Sequence, residues 1–358
     1  MPIVWVRARV VFACEATTDL FSKVRRGLLV FAISMACASA GDDIPERFGI
    51  RLEQVRYPFP VKTLRLESQR ESLEMAYMDI APESPNGRSV LLLHGKNFNG
   101  YYWESTARAL LTAGYRVVIP DQIGFGKSSK PQRYQFSFQQ LALNTRALLD
   151  HLRIRTASVV GHSMGGMLAV RFALMFPDRV EKLALIDPIG LEDWKRVVPY
   201  RSIDEWYAGE LKVTPAQQKQ YQIESYYHGD WKPEYERWVR LATGWLTSPD
   251  YPVVAWNSAL TYDMIFTQPV CYEFPDLVMP TLLVVGSLDR TAIGKQWVSE
   301  EIRATLGNYP ELAKKAAAEI PESRLEILEG IGHVPQIEAP DVLFPILLEF
   351  LADSSREP

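Results

Sequence analysis

Five near-continuous apolar runs constrain the fold of this chain more than any other feature. They are SVLLLHG (89–95), YRVVIPD (115–121), ASVVGHS (157–163), KLALID (182–187) and TLLVVGS (281–287). Such runs are typical of strands covered on both faces, as in a parallel sheet between two layers of helices. Helical patterns follow at 102–113, 137–152, 164–176 and 340–352. This alternation of strand and helix predicts a doubly wound α/β domain.

Three further strands and one long interruption complete the predicted organisation. The segments 61–68 and 73–81 alternate apolar and polar residues, as half-buried antiparallel strands do, and RLEIL (324–328) is the final strand. More than ninety residues between Asp187 and Thr281 lack a buried-strand pattern and contain helical stretches at 214–227 and 233–246. We therefore predict an α/β core in two parts, 41–187 and 280–358, with a helical lid inserted at 188–279.

The predicted lid is rich in aromatic residues and holds six of the nine tryptophans of the chain. Large side chains give a small helical subdomain a core of its own, which accounts for most of them. The other interpretation is that some of them face a pocket for an apolar substrate. The sequence does not indicate which residues these are.

The N-terminal 40 residues have the pattern of a secretory signal peptide. KVRRGLLVFAISMACASA (23–40) contains basic residues, a short apolar run and a small-residue triplet, with cleavage expected after Ala40. The apolar run is too short for a comfortable membrane span, so we expect an exported, periplasmic or secreted protein without a stable span. The alternatives are a disordered or membrane-anchoring N-terminus and, with less support, a lipoprotein modified at Cys37.

Composition excludes several classes of function. Hydrophobic content of 47% and charged content of 23% are those of a globular protein, and a net charge of −4 carries no nucleic-acid signature. No metal-ligand spacing and no dinucleotide or phosphate loop is present, so no cofactor and no metal are implied. Cleavage after Ala40 would leave Cys271 as the single thiol, and we expect it to be a small buried side chain.

The segment GHSMG (161–165) predicts a nucleophile. It has the form G-x-S-x-G, directly after a buried strand and directly before a helix. The turn there is so sharp that the flanking positions must be small, and it exposes the hydroxyl of Ser163 at the end of the sheet. The alternative is a tight turn with a capping serine.

Serine needs a base, and the chain has only five histidines. Four are set aside because of their places in the sequence: His94 ends a strand, His151 lies on a helix, His162 adjoins the serine and His228 is in the lid. His333 remains, in EGIGHVPQIEAP between the last strand and the last helix. We therefore expect His333 to be the base.

The base must be held by an acid, and two candidates follow neighbouring strands. Asp289 follows TLLVV in GSLDRT, and Asp187 ends the preceding strand in LALIDPIG. We favour Asp289, because the order Ser163, Asp289, His333 places each residue on its own loop. For an oxyanion, the expected donors are the backbone N–H groups of Met164 and Lys96, and the Lys96 side chain is not required.

Together these segments resemble the α/β-hydrolase superfamily, in its lidded serine-hydrolase, esterase-like branch. The resemblance covers roughly residues 50–352 and rests on five segments: His94-Gly95, DQIGFGKSSKP (121–131), GHSMGG (161–166), GSLD (286–289) and GHVPQIEAP (332–340). It implies a mostly parallel eight-stranded sheet flanked by helices, with the lid inserted after the sixth strand. Epoxide hydrolases and haloalkane dehalogenases of the superfamily have aspartate where Ser163 stands, so those activities are not expected.

The expected function is hydrolysis of a carboxylic ester or lactone of a fairly apolar small molecule through an acyl-enzyme. A C–C bond hydrolase, an acyltransferase or a perhydrolase would use the same three residues. A non-catalytic binding protein on this fold is a further alternative, against which the complete set of three residues argues. The natural substrate, the acyl-chain size and the oligomeric state do not follow from the sequence.

Overall fold

The structure, a computed structural model, describes residues 47–353. The predicted signal peptide, residues 1–40, lies outside the described residues. Within the described part of the chain, no helix is both long enough and apolar enough to cross a membrane.

Eight strands form one sheet, as predicted. They are β1 (Val61–Ser68), β2 (Glu71–Ile80), β3 (Ser89–Leu93), β4 (Arg116–Pro120), β5 (Ala157–His162), β6 (Val180–Ile186), β7 (Thr281–Gly286) and β8 (Ser323–Leu328). Their order across the sheet is β1-β2-β4-β3-β5-β6-β7-β8. β2 is antiparallel to both β1 and β4, and all remaining pairs are parallel. The sheet is therefore mostly parallel, with an antiparallel edge.

The central strands are apolar throughout because both of their faces are buried. Successive side chains of a strand point to opposite faces. On β3, Leu91 and Leu93 join one hydrophobic cluster, and Val90 and Leu92 join another on the opposite side. On β5 the same division separates Val159 from its neighbour in sequence, Val160. This arrangement leaves the polar functional side chains to the loops at the strand ends.

Eleven α-helices are present among the described residues. They are α1 (Glu104–Thr112), α2 (Phe138–His151), α3 (Met164–Met175), α4 (Ile203–Glu210), α5 (Pro215–Tyr226), α6 (Glu236–Thr243), α7 (Tyr251–Thr267), α8 (Glu300–Thr305), α9 (Tyr309–Glu319), α10 (Pro335–Glu338) and α11 (Pro340–Ala352). Residues of α2, α3 and α9 pack on one face of the sheet, and residues of α1 and α11 pack on the other. The core thus has three layers.

Two helical predictions need correction at their ends. The stretch 233–246 is a 3₁₀ turn, Pro233–Tyr235, followed by α6, which ends at Thr243. At its end, the carbonyl oxygen of Gly244 accepts the backbone N–H of Phe48 at 3.2 Å, and a Cβ on Gly244 would lie 2.4 Å from the Phe48 ring. The stretch 102–113 likewise begins as a 3₁₀ turn, Gly100–Trp103, before α1.

Four helices, α4 to α7, lie between β6 and β7, where the sequence lacks a buried-strand pattern. We call α4 to α7 and their connections the lid. Cys271 follows α7 at the start of a 3₁₀ turn and is half-buried rather than fully buried. Burial raises the pKa of its thiol, so the thiol is not activated.

Candidate active site

Ser163 occupies a strained turn between β5 and α3. Its φ of 55° and ψ of −122° are those of a backbone conformation that L-residues rarely adopt. Two glycines permit the turn. A Cβ on Gly161 would lie 2.3 Å from the carbonyl oxygen of Gly165, and a Cβ on Gly165 would lie 2.1 Å from the carbonyl oxygen of Leu93. The glycines therefore let the start of α3 pack directly against β3 and β5.

Ser163, His333 and Asp289 form a continuous chain of hydrogen bonds. The Oγ of Ser163 is 3.1 Å from Nε2 of His333, and Nδ1 of His333 is 2.7 Å from Oδ2 of Asp289. His333 and Asp289 are fully buried, and Ser163 is 7% exposed. A carboxylate only accepts, so Nδ1 carries the proton and Nε2 accepts the serine O–H. This is the arrangement in which histidine can remove a proton from serine.

Asp187 lies beside Asp289, but the hydrogen bond from His333 goes to Asp289. Oδ1 of Asp187 accepts the N–H of Gly286 at 2.8 Å, and Oδ2 has no hydrogen-bond partner among the described residues. Burial, and then the neighbouring Asp289, raise the pKa of Asp187 well above its usual range. Burial and the neighbouring Asp289 therefore disfavour a negative charge on Asp187.

Asp187, Asp289 and His333 are also the one group among the described residues with metal-ligand spacing. One ligand atom from each lies within 4.8 Å of the others. The 2.7 Å separation of Nδ1 and Oδ2 is a hydrogen-bond distance, with a proton between the two atoms. We therefore assign the group to hydrogen bonding.

His162 connects three parts of the site through hydrogen bonds. Its Nε2 is 2.7 Å from the carbonyl oxygen of His333, which only accepts, so Nε2 carries the proton. Its Nδ1 then accepts the O–H of Tyr102 at 3.0 Å, and that oxygen accepts the N–H of Gly95 at 3.1 Å. Burial lowers the pKa of His162 well below its usual range, so the ring stays neutral. His162 thereby ties the serine turn to the loops that carry His333 and Lys96.

The other three histidines lie elsewhere, as the sequence indicates. His94 accepts the backbone N–H of Gln122 through Nε2 at 3.0 Å and holds the loop after β3. His151 is exposed in the last turn of α2. His228 follows α5 in the lid, and burial lowers its pKa. None of the three forms a hydrogen bond with Ser163 among the described residues.

The two expected oxyanion donors belong to the start of α3 and to the loop after β3. Met164 is the first residue of α3, where a backbone N–H has no acceptor within the helix. Lys96 lies in the loop after β3 and lines the same cavity as Ser163 and His333. The neighbouring N–H of Gly95 is already bound to Tyr102. Lys96 and Met164 thus remain the candidate donors.

The cavity over Ser163 is walled mainly by the aromatic and aliphatic side chains that follow β6. These residues include Trp194, Tyr221, Tyr226, Tyr262 and Ile265. A neighbouring cavity shares the wall Lys96, Asn97 and Phe98 and is closed on its far side by residues of α6 and α7, among them Trp238, Leu241 and Tyr251. Some lid aromatics therefore do face the cavity beside the serine.

Sequence reasoning did not identify the helix that supplies much of this wall. Along α7 the cavity-facing residues are Tyr251, Val254, Ser258, Tyr262 and Ile265. They recur every three or four positions, as one face of a helix does. This period is visible in the sequence. Nothing there distinguishes a face that lines a cavity from a face that packs on a core.

Tyr226, at the end of α5, contacts His333 directly, and the sequence offered no signal for this. Its carbonyl oxygen accepts the N–H of His333 at 3.1 Å. Its ring stacks on the imidazole with centroids 5.2 Å apart, and its hydroxyl accepts from Asn97 at 2.9 Å. Gly332 makes the close approach possible, because a Cβ there would lie 2.1 Å from that carbonyl oxygen. The lid thus helps to position the histidine.

Comparison with known proteins identifies the family of the chain. The sequence model of the alpha/beta hydrolase fold matches residues 88–340. The chain therefore belongs to the alpha/beta hydrolase family, and the enzymes that it resembles identify it as a hydrolase.

A crystal structure of a probable hydrolytic enzyme from Pseudomonas aeruginosa PAO1 is similar along most of the chain. Its TM-score is 0.85 and its sequence identity 53%, over 86% of this chain and 99% of that one. A putative non-heme chloroperoxidase of Synechocystis sp. is 26% identical over 290 residues, 78% of this chain and 95% of the relative. Lipase 1 of Psychrobacter immobilis is 24% identical over 295 residues, 82% of this chain and 84% of the relative.

Proposed function

We propose that the protein is a serine hydrolase that cleaves a carboxylic ester or lactone of a fairly apolar small molecule through an acyl-enzyme. The hydrogen-bonded chain from Ser163 through His333 to Asp289 is the observation that carries this proposal. The similarity to a lipase supports ester chemistry, and the aromatic walls of the cavity support an apolar substrate.

The proposed reaction has two halves. Ser163 Oγ attacks the substrate carbonyl as His333 Nε2 takes its proton, and the backbone N–H groups of Lys96 and Met164 stabilise the oxyanion. The protonated His333, stabilised by Asp289, gives that proton to the leaving alcohol, and an acyl-serine remains. Water then attacks this ester with His333 as base, the acid is released and the serine O–H is restored.

The first test compares the wild type with Ser163→Ala. We expect a fluorophosphonate to label the wild type covalently, and 4-nitrophenyl esters from acetate to octanoate to be hydrolysed. In Ser163→Ala, labelling disappears and kcat falls by about 10⁴-fold or more, since one member of a triad is lost. An unchanged melting temperature shows that the variant is folded. Turnover that survives in Ser163→Ala would contradict the proposed nucleophile.

The alternatives that use the same triad differ from an ester hydrolase in the substrate that is cleaved or in the acceptor that takes the place of water. An acyltransferase releases its acyl group to an added alcohol in preference to water, and a perhydrolase releases a peracid when hydrogen peroxide is supplied. A C–C bond hydrolase cleaves a vinylogous 1,5-diketone faster than an ester. A binding protein on this fold would be folded and unlabelled. Product analysis with an added alcohol or hydrogen peroxide therefore separates the first two from an ester hydrolase, the diketone substrate separates the third, and fluorophosphonate labelling separates the fourth.

We also propose that the protein is exported and that residues 1–40 are removed. The basic, apolar and small-residue segments of 23–40 are the support. Full-length protein expressed in a bacterial host with its own N-terminus is expected in the periplasmic fraction or the medium, beginning at Gly41 by N-terminal sequencing. Cytoplasmic protein that retains residues 1–40 would contradict export.

A further inference from the structure

The side chain of Lys96 leaves the loop after β3 and ends inside the lid. Its Nζ donates to Oγ of Ser258 at 2.7 Å and lies 3.5 Å from the centre of the Tyr262 ring. Both partners are on the cavity-facing side of α7. A lysine that needed only to supply a backbone N–H would not need this placement.

The ammonium of Lys96 has donors left over. An ammonium has three N–H donors. Here one of them donates to the hydroxyl of Ser258, and the charge makes a cation–π contact with the ring of Tyr262. No carboxylate of residues 47–353 lies within 4.0 Å of its Nζ in an ion pair. Burial lowers the pKa of Lys96 to about 8, so most of the side chain is still protonated at pH 7.

Another buried lysine of the same fold shows what a structural ammonium looks like. Lys130 is 8% exposed, and its Nζ donates to the carbonyl oxygens of Gly126 and Ser128 at 2.6 and 3.0 Å. The polypeptide itself thus satisfies Lys130. Lys96 lacks such carbonyl partners and faces open cavity, where a bound molecule can supply the missing acceptors.

The position of Lys96 allows contact with a bound substrate. It lines the cavity that contains Ser163 and His333, and it also lines the neighbouring cavity under α6 and α7. A molecule whose carbonyl lies at Ser163 and whose remainder extends into the neighbouring cavity would lie beside this residue.

We propose that Lys96 binds an anionic group of the substrate, a carboxylate or a phosphate, through its ammonium. The inference rests on the proposed function and narrows it: the substrate is an ester with one negative charge and an otherwise apolar body. Charge-assisted hydrogen bonds are among the stronger polar contacts, so this contact contributes to specificity. The aromatic walls bind the remainder.

Glu210, at the end of α4, is an acidic residue whose negative charge would repel an anion bound at Lys96. It lines the same neighbouring cavity, and its charge raises the pKa of Lys96 without closing an ion pair within 4.0 Å. The tyrosines around Lys96 on α5 and α7 are neutral, because burial raises the pKa values of Tyr221, Tyr226 and Tyr262. Removal of the Glu210 charge is therefore expected to strengthen the binding of an anion at Lys96.

The test compares two esters that differ only at the end of the acyl chain. The monoester of adipic acid with 4-nitrophenol has a carboxylate where 4-nitrophenyl hexanoate has a methyl group. For each variant we take the ratio of kcat/KM for the adipate monoester to kcat/KM for the hexanoate. Because both rates come from one preparation, a general loss of activity cancels in this ratio.

We expect the ratio to fall about tenfold in Lys96→Met, which keeps the backbone N–H and most of the side-chain volume. It should rise in Glu210→Gln. Lys62→Met, which removes the same charge from an exposed position on β1, should leave the ratio at the wild-type value. An unchanged ratio in Lys96→Met, or an equal fall in Lys62→Met, would overturn the inference.

A second measurement covers substrates that these esters do not mimic. Adipate, inorganic phosphate and neutral hexanamide are each tested for protection of Ser163 against the fluorophosphonate. The proposal is supported if either anion protects Ser163, if this protection is weaker in Lys96→Met, and if hexanamide gives none. The anion that protects more strongly then shows whether the substrate group is a carboxylate or a phosphate. Labelling that neither anion slows argues against an anion site. If the wild type is neither labelled nor active, the proposed serine hydrolase function itself is contradicted.

Discussion

Replacement of Gly165 by alanine tests the claim that the serine turn depends on close backbone packing. A Cβ on Gly165 would lie 2.1 Å from the carbonyl oxygen of Leu93, 1.3 Å short of the 3.4 Å at which ordinary contact begins. Leu93 cannot move away easily, because it pairs with Gly161 on β5, and β3 is also paired with β4 as far as Leu91. The start of α3, with Ser163 at its N-cap, has to shift instead.

The expected magnitudes follow from that 1.3 Å. Alanine in place of helical glycine gains at most about 1 kcal/mol, whereas an overpacked core costs about 1–3 kcal/mol and occasionally more. With a rigid strand as the obstacle, we expect the upper end and a net loss of about 2 kcal/mol. For a chain of this size that lowers the melting temperature by about 3 °C. A displacement of the serine by about 1 Å should slow its reaction by about 100-fold.

The assay is the rate of fluorophosphonate labelling together with thermal unfolding, and Gly209→Ala is the matched control. Gly209 lies in α4, and a Cβ there would meet nothing within 4 Å. That variant should label at the wild-type rate and melt no lower than the wild type. A Gly165→Ala protein that labels as fast as the wild type would refute the argument that backbone contact sets the position of Ser163.

The remaining predictions concern buried carboxyl groups. Asp187→Asn should retain kcat within about threefold at pH 7, because burial and the neighbouring Asp289 already disfavour the charged form of Asp187 and the amide keeps the acceptor for Gly286. Asp289→Asn should lose about 10⁴-fold. Equal losses in ester hydrolysis would show that Asp187 is the ionised partner. Burial raises the pKa of Glu338 to about 7. The folded protein therefore binds the Glu338 proton more tightly than the unfolded chain does. Because of this, the unfolding free energy falls as the pH rises from about 4.5 to about 7. Urea unfolding at pH 5 and pH 8 should show a smaller fall for Glu338→Gln, and parallel curves would disprove this contribution.

Much of the fold follows from local patterns in the sequence. The apolar run at 89–93 is β3, and its alternate side chains serve two hydrophobic layers, so only a strand covered on both faces accommodates it. The same holds for β5, and the glycines after it permit the turn at Ser163. Helix ends are less well predicted. α6 ends at Thr243, and the next residue, Gly244, contacts Phe48, which is far away in the sequence.

The sequence by itself determined the sheet, the serine turn and a short set of candidate residues, because strand period, helix period and tight turns depend on near neighbours. Only the tertiary structure decided between Asp187 and Asp289, which follow adjacent strands and differ only in which one faces His333. It also placed the ammonium of Lys96 against α7 and the carbonyl of Tyr226 against His333. These contacts join segments separated by more than a hundred residues, and such pairs are set by how whole layers pack together.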